Sequence, residues 1–218
     1  IFNKLNINVT RTYASGSLIK KNEVFLEGEG NAESLHMAWK ISQNIIDYSS
    51  GIATKTKKLV DKVNKINPYI SVITTRKNIP GTKELAIKAV ISGGGFPHRL
   101  GLSETILIFK QHLNFLGGIN ELTEILRRVK SKACEKKVIV EVEDLEDAVI
   151  LCKSGVDGLQ FDKIPCDVLK RNVDILRNIN PSMVILAAGG INENNVEDYA
   201  KTGVDSIVTT SVYYAKPI

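Results

Sequence analysis

Cysteine, methionine and tryptophan are all scarce in this chain of 218 residues, at three, two and one, and aromatic residues make up only 6% of it. The cysteines, at 134, 152 and 166, are odd in number and never spaced as CxxC. They therefore suggest neither a disulfide framework nor a zinc site, and read as small buried hydrophobes. No apolar run approaches the roughly 20 residues needed to span a bilayer, so no membrane span is expected. Residues Ile1 to Thr12 lack the basic-then-apolar order of a signal peptide, and a cytoplasmic location follows as the default. The sequence also opens on Ile1 without a methionine, which suggests that an N-terminal piece precedes it. A dense basic block beside aromatics is missing too: the net charge is a mild +5 with dispersed lysines. Nothing in that pattern favours nucleic acid, and cations gathered in one pocket for a small anionic substrate account for the balance. The chain contains no long linker, low-complexity tract or evident repeat.

What is present is a core-forming composition, 43% hydrophobic and 24% charged, and a rhythm. From about Val138 an apolar strand, a polar turn and an amphipathic helix recur every 20 to 25 residues, which means βαβ units and a parallel sheet. The predicted strands are Val138 to Val142, Gly158 to Phe161, Met183 to Ala187 and Ser206 to Thr210. Helices fall at Leu145 to Lys153, Val168 to Arg177 and Val196 to Lys201. Asp144 precedes the first of these, and Asn192 or Asn194 the last, as caps would. Upstream, Tyr69 to Ile73 and Thr105 to Phe109 are β-rich, and Ala86 to Val90 is apolar enough for helix or strand. Ser34 to Tyr48 carries a helical stripe of Leu35, Ala38, Trp39, Ile41, Ile45 and Ile46, followed beyond Gly51 by a second helix around Thr54 to Val63. Ile7 to Tyr13 and Glu23 to Leu26 alternate like strands around a turn at Ala14 to Gly16, as a small sheet outside the barrel would.

In a parallel barrel the chemistry collects where the strands end, because the βα loops form one open face. Arg76 and Lys77 follow one strand, Glu141 ends another, Asp162 a third, and Gly189 with Gly190 a fourth. Cations, two carboxylates and a glycine pair on one rim suit a phosphorylated sugar. Each also has a plain reading: strands end in charges where they surface, and a tight βα turn takes glycine. The run Gly93 to Gly95 costs backbone entropy and implies a loop fitted closely against something. His98 and Arg99 follow it directly.

The segments SSGIATKT (49–56), TTRKNIPGTK (74–83), SGGGFPHRLGLSE (92–104), EVEDLEDA (141–148), LQFD (159–162) and AAGGINENNVEDYAKTGVDSIV (187–208) resemble, in order, those of nicotinate-nucleotide pyrophosphorylase, also called quinolinate phosphoribosyltransferase. Within that family AWK (38–40), PHRLGLSET (97–105) and FLGG (115–118) are most similar to the ModD branch, associated with molybdate transport. The resemblance implies an α/β fold: a partial sandwich domain at 1–48, a (β/α) barrel at 49–210, and a return to the sandwich at 211–218. It implies a homodimer, with Mg²⁺ as cofactor and phosphoribosyl pyrophosphate as co-substrate. The reaction implied is phosphoribosyl transfer to a carboxylated heterocycle with release of pyrophosphate. Glu141, Asp162 and Lys77 match the catalytic residues, and the two carboxylates are also the metal candidates. Arg76, Lys77, His98 and Arg99 match the cations that hold the substrate anions, and Gly189 and Gly190 match the backbone donors to the 5′-phosphate.

Departures from the enzyme pattern fall mainly on the acceptor side. Lys40 stands for an arginine given across the dimer interface, Phe109 for a substrate-site lysine, and Thr210 for a phosphate-contacting glycine. Leu186 and Ala188 replace a Glu and a Ser. These put quinolinate in question as the acceptor. The alternative reading is a catalytically weak barrel that binds an anionic ligand in molybdenum transport or metabolism.

Overall fold

The computed structural model describes residues 1–101 and 104–218. Seven short runs of apolar residues become strands of one sheet: β3 (Ser71–Thr74), β4 (Phe96–Pro97), β5 (Ile106–Ile108), β6 (Val138–Val142), β7 (Gly158–Asp162), β8 (Val184–Ala188) and β9 (Ser206–Thr209). Every neighbouring pair is parallel, in the order β4-β3-β9-β8-β7-β6-β5. Alternate strand residues face opposite ways. One set, including Val72, Val140, Leu159, Ile185 and Ile207, joins the large core beneath the helices. The other set, Leu107, Ile139, Leu186, Ala188 and Val208 with Ile73, Phe109 and Val184, forms a second cluster of its own. That second cluster spans strands from both halves of the sheet, so the sheet curls around it as a barrel.

The covering helices are α2 (Lys83–Ser92), α3 (Lys110–Leu116), α4 (Ile119–Lys132), α5 (Leu145–Ser154), α6 (Cys166–Ile179) and α7 (Val196–Ala200). The apolar run at Ala86 to Val90 is thus helical. Asp144 caps α5, its carboxylate accepting from the Asp147 amide at 2.9 Å. At α7 the cap position is Asn195, not Asn192 or Asn194; its Oδ1 accepts from the Asn192 amide at 2.8 Å and makes no cap bond into the helix.

The expected pair of helices before the barrel is one helix, α1 (Ala32–Asn64), capped by Asn31 Oδ1 on the Ser34 amide. Gly51 is buried inside it. A Cβ there would lie 2.3 Å from the Lys216 carbonyl oxygen, so this glycine admits the chain's last residues against the helix and does not break it. The same segment returns further along α1 through Ile218 N to Asp47 O at 3.2 Å. In the first half of α1 the small residues Ser34, Ala38 and Ser42 are buried at four-residue spacing, while Leu35, Trp39, Ile41 and Ile45 remain exposed.

Ahead of α1, β1 (Asn8–Thr12) and β2 (Leu26–Glu29) form an antiparallel ribbon. The second strand starts later than its alternation suggested. Glu23 is used elsewhere: its carboxylate accepts from Tyr13 Oη at 2.9 Å and the Lys20 amide at 2.7 Å, closing the turn. Gly16 takes the left-handed φ of +89° that the turn at Ala14 to Gly16 requires.

A short echo escaped the sequence reading. Gly-Val-Asp occurs at 155–157 and 203–205, just before β7 and β9. Asp157 accepts from the Val138 amide at 2.8 Å and pairs with Lys130 at 2.7 Å. Asp205 accepts from the Ile185 amide at 2.7 Å and pairs with Arg177 at 2.6 Å. Both stitch a strand start to its neighbour on the stability face of the barrel, opposite the functional rim. Of the cysteines, Cys152 is buried and Cys166 half-buried, but Cys134 is exposed in the turn after α4, where no core face is offered. No described helix is long and apolar enough to cross a membrane.

Candidate active site

The parallel register sets Glu141 on β6 beside Gln160 on β7, and Gln160 beside Leu186 on β8. Gln160 Nε2 donates to Glu141 Oε2 at 2.9 Å. Burial first, and then the neighbouring Asp162 carboxylate, push the Glu141 pKa above its usual value; Lys77 opposes this weakly. The two carboxylates therefore share one field at the ends of adjacent strands. Lys163 Nζ lies 3.6 Å from Asp162 Oδ2 and is largely exposed.

Across the rim, Arg76 and Arg99 line a cavity of about 340 Å³ together with Thr75, Asn78, Lys83 and Tyr213. Burial, and next the Arg76 charge, lower the Arg99 pKa. Two guanidinium groups on one cavity can each meet an anionic group with paired N–H donors. The hydroxyls of Thr75 and Thr210 are 2.9 Å apart, tying the ends of β3 and β9 next to Arg76. Thr210 thus has a structural partner as well as its place on the rim. Tyr213 Oη bonds Thr74 Oγ1 and Thr75 O, at 3.0 and 3.1 Å, which holds the same strand end from behind.

His98 follows β4, its amide donating to Thr74 O at 2.9 Å. Burial lowers its pKa, and Arg99 adds to this. The Gln160 side chain acts the other way, so the net shift toward the neutral ring is set by burial. Among the described residues neither ring nitrogen completes a hydrogen bond, although both are buried.

Gly189 and Gly190 turn at the end of β8 with φ of +87° and +71°. A Cβ at Gly189 would meet Asp162 Oδ1 and the Lys163 amide nitrogen, each at 2.6 Å, so glycine lets the β7 and β8 ends close on each other. Gly190 opens to free space, where a Cβ would meet nothing within 4 Å. Its carbonyl is held by the side-chain amides of Asn192 and Asn195, at 3.0 and 3.2 Å.

Phe109 packs with the apolar residues of the barrel interior. The next residue, Lys110, is bound to Glu143 at 2.7 Å. Lys40 is not brought to this rim. It lies exposed on α1, over the Trp39 ring at 4.4 Å and bonded to Gln43 at 3.3 Å. The triple glycine proves to be fitted against α1: a Cβ at Gly93 would lie 2.4 Å from Ala53 O, and one at Gly95 2.7 Å from Thr56 Cγ2. Leu102 and Ser103, within the segment at 97–105, lie outside the described residues.

Two residues of this rim were missed from sequence. Gln160 carried a signal, as the one amide within an apolar strand. Lys163 carried none, since its left-handed φ of +58° becomes visible only once its amide is seen bonded to Ala188 O at 2.8 Å. No cluster of three or more metal-binding side chains occurs among the described residues.

The sequence profile of the quinolinate phosphoribosyl transferase C-terminal domain matches residues 52–218, and that of the N-terminal domain residues 1–50. ModD of Pasteurella multocida (strain Pm70), a pyrophosphorylase in name, is 35% identical over 217 residues, covering 100% of this chain and 77% of that protein. The solved nicotinate-nucleotide pyrophosphorylase of Francisella tularensis superposes with a TM-score of 0.89 at 30% identity, over 99% of this chain and 75% of that one. That of Ehrlichia chaffeensis gives 0.88 at 26%, over 99% and 76%.

Proposed function

The chain belongs to the quinolinate phosphoribosyltransferase family, and from that premise we propose that it is a Mg²⁺-dependent pyrophosphorylase of the ModD kind. In this reading it transfers the phosphoribosyl group of phosphoribosyl pyrophosphate to a heterocycle bearing a carboxylate. The observation that carries this is the convergence of Glu141 and Asp162 on adjoining strand ends, opposite the Arg76 and Arg99 cavity.

The chemistry divides between these two sides. As the bond between the anomeric carbon and the pyrophosphate oxygen breaks, positive charge develops on the ribose, and two carboxylates fixed nearby stabilise it. The departing anion and any substrate carboxylate are met by Arg76, Arg99 and Lys77, whose guanidinium and ammonium groups offer bidentate and point-charge contacts. The amides of Gly189 and Gly190 suit the 5′-phosphate, since left-handed glycines aim successive N–H groups into one concavity.

The residues fit Mg²⁺ as a companion of the substrate. The Asp162 carboxylate adds to the cost of ionising Glu141, and two carboxylates plus diphosphate oxygens make a typical Mg²⁺ set, whereas a protein cage of three or more groups is missing from the described residues. Bound there, the ion would neutralise charge on the leaving pyrophosphate.

A homodimer belongs to the same reading. Leu35 and Trp39 on one flank of the buried Ser34, Ala38 and Ser42, and Met37, Ile41 and Ile45 toward the other, leave apolar surface on α1, and Lys40 lies on that stretch, where it would reach a partner's site. A second copy of the chain would cover that surface.

The test is to incubate the protein with phosphoribosyl pyrophosphate, Mg²⁺ and a panel of pyridine and pterin carboxylates while following pyrophosphate release. Release with at least one ring, lost on chelation of the metal, is expected. Silence across the panel with tight ligand binding would overturn transfer, and favour a barrel that only binds an anion in a molybdenum-related role.

A further inference from the structure

The cavity beside Arg76 and Arg99 holds a third cation, Lys83, the first residue of α2. Its volume of about 340 Å³ falls in the range of about 300–1,000 Å³ over which pockets enclose a whole small ligand. There is room for more than a lone ion. No carboxylate stands in the lining among the described residues, and a cleft lined by one sign of charge concentrates ions of the other. Among the described residues the Lys83 ammonium meets a neutral group instead, the Leu100 carbonyl oxygen. Lys110 and Lys163 differ, since each stands against a carboxylate.

Leu100 lines the same cavity and is clamped from both sides, its amide donating to Glu104 Oε2 at 2.5 Å while its carbonyl accepts from Lys83. Glu104 is also the carboxylate that acts on Arg99, but its effect is outweighed by burial and by the Arg76 charge. The cavity therefore keeps its excess of positive charge. From this we propose that Lys83 is a further substrate-binding residue, which exchanges the Leu100 carbonyl for an oxygen of the anion that Arg76 and Arg99 receive. That anion is the pyrophosphate group or the carboxylate of the acceptor. A charged donor gains by trading a carbonyl for an oxyanion, whose own charge shortens and strengthens the bond. The two planar guanidinium forks fix the orientation of the anion, while a point charge on a flexible four-carbon stem can follow it.

A second cavity, of about 800 Å³, adjoins the first, and Lys83, Ile87 and Leu100 line both. The bond from Lys83 to Leu100 thus stands on the boundary between them. Lys88 lines the second cavity and has no share in the first. The same helix therefore carries its own comparison, a lysine of equal charge placed away from the anion. The inference rests on the first cavity receiving a reactant of phosphoribosyl transfer. It concerns binding alone, and Lys83 makes or breaks no covalent bond.

Calorimetry with inorganic pyrophosphate and, separately, with nicotinate, both without added metal, tests this independently of turnover. Lys83→Met should weaken at least one of the two anions roughly fivefold, the upper end for an exposed ion pair, and Lys83→Arg should stay within about twofold of the parent. Lys88→Met should bind both as the parent does. Because Lys83 is exposed, all of these variants should unfold at the parent's temperature. A loss confined to pyrophosphate assigns Lys83 to the leaving group, and one confined to nicotinate assigns it to the acceptor carboxylate. Unchanged affinities in Lys83→Met overturn the proposal, as does a parent that binds neither anion. An equal loss in Lys88→Met also overturns it, since the effect would then belong to the general field and not to a contact. The expected order of affinities with no pyrophosphate release from phosphoribosyl pyrophosphate and any ring would instead count against transfer, and leave Lys83 as an anion-binding residue. Turnover with affinities unmoved by Lys83→Met would do the reverse.

Discussion

Lys110 Nζ lies 2.7 Å from Glu143 Oε2, with both side chains well exposed, whereas Phe109, one residue earlier, packs on the barrel interior. Adjacent residues at a strand end face opposite sides. Lys110 is held outside, on a carboxylate, and does not replace the cation that a lysine at position 109 would bring. Quinolinate, a dianion, is therefore expected to be a poor substrate. Phe109→Lys should raise its kcat/KM by roughly thirtyfold, the equivalent of about 2 kcal/mol, while lowering that of the natural acceptor. Lys110→Ala should leave turnover nearly unchanged. Efficient use of quinolinate by the unmodified chain, abolished by Lys110→Ala, would reverse this assignment.

Asp162→Asn and Glu141→Gln are each expected to fold and to lower turnover at least about tenfold, through lost charge stabilisation at the ribose. For Glu141 a pH signature accompanies the loss. Its folded pKa lies above the ordinary 4.5, from burial and then from Asp162. The folded chain thus binds this proton more tightly than the unfolded one, and stability drains as pH rises through the window between the two values. Without added metal, Glu141→Gln should unfold at higher temperature than the parent above that window and match it below. A variant less stable at neutral pH would contradict this.

How much of this was legible beforehand depends on the range of the interactions. The strands from Val138 onward follow from local alternation, and the structure has them within a residue or two. Asp144 was readable as a cap because capping is local. Gly51 was not readable as a helical residue, since its partner is Lys216, far along the chain. The apolar residues on the first half of α1 look like a core stripe, but sequence cannot say which of several apolar faces is buried. At the rim, motif positions gave Glu141, Asp162, Arg76 and Arg99. The downward shift of the His98 pKa depends on burial, and no motif records that.

Trp39 is 57% exposed and Ile41 56%, an unusual outlay of apolar surface for a helix with solvent around both. Sedimentation at micromolar concentration should show a dimer, and Trp39→Glu should shift it to monomer with the fold retained. A monomer in the parent protein would remove both the dimer and the suggested reach of Lys40.

Lys163→Met should raise the KM for phosphoribosyl pyrophosphate roughly two- to fivefold, as suits one exposed cation beside an anion, and the effect should fade at high salt. Its ammonium stands by Asp162 and its stem crosses the space that a Cβ on Gly189 would need. An unchanged KM at low salt would confine Lys163 to a backbone role.

On the opposite face, Asp205→Ala removes the acceptor of the fully buried Ile185 amide together with the partner of Arg177. A loss of about 1–3 kcal/mol is expected for leaving such a donor unmet, read from urea unfolding, with kcat preserved. Asp157→Ala should behave alike at β6. Equal stability in both variants would mean that neither stitch matters.

The unbroken course of α1 from Ala32 to Asn64 also governs how these proteins can be recombined. The two family domains meet at residues 50 and 52, in mid-helix, where Gly51 touches the chain's last residues and Ala53 and Thr56 receive Gly93 and Gly95. A chimaera spliced at that boundary would join two half-helices whose contacts each came from a different parent. A crossover before Ala32 keeps the helix, its glycine contacts and the strand that leads into His98 as one inherited block, whereas one after Asn64 spares the helix but parts it from Gly93, Gly95 and Lys216.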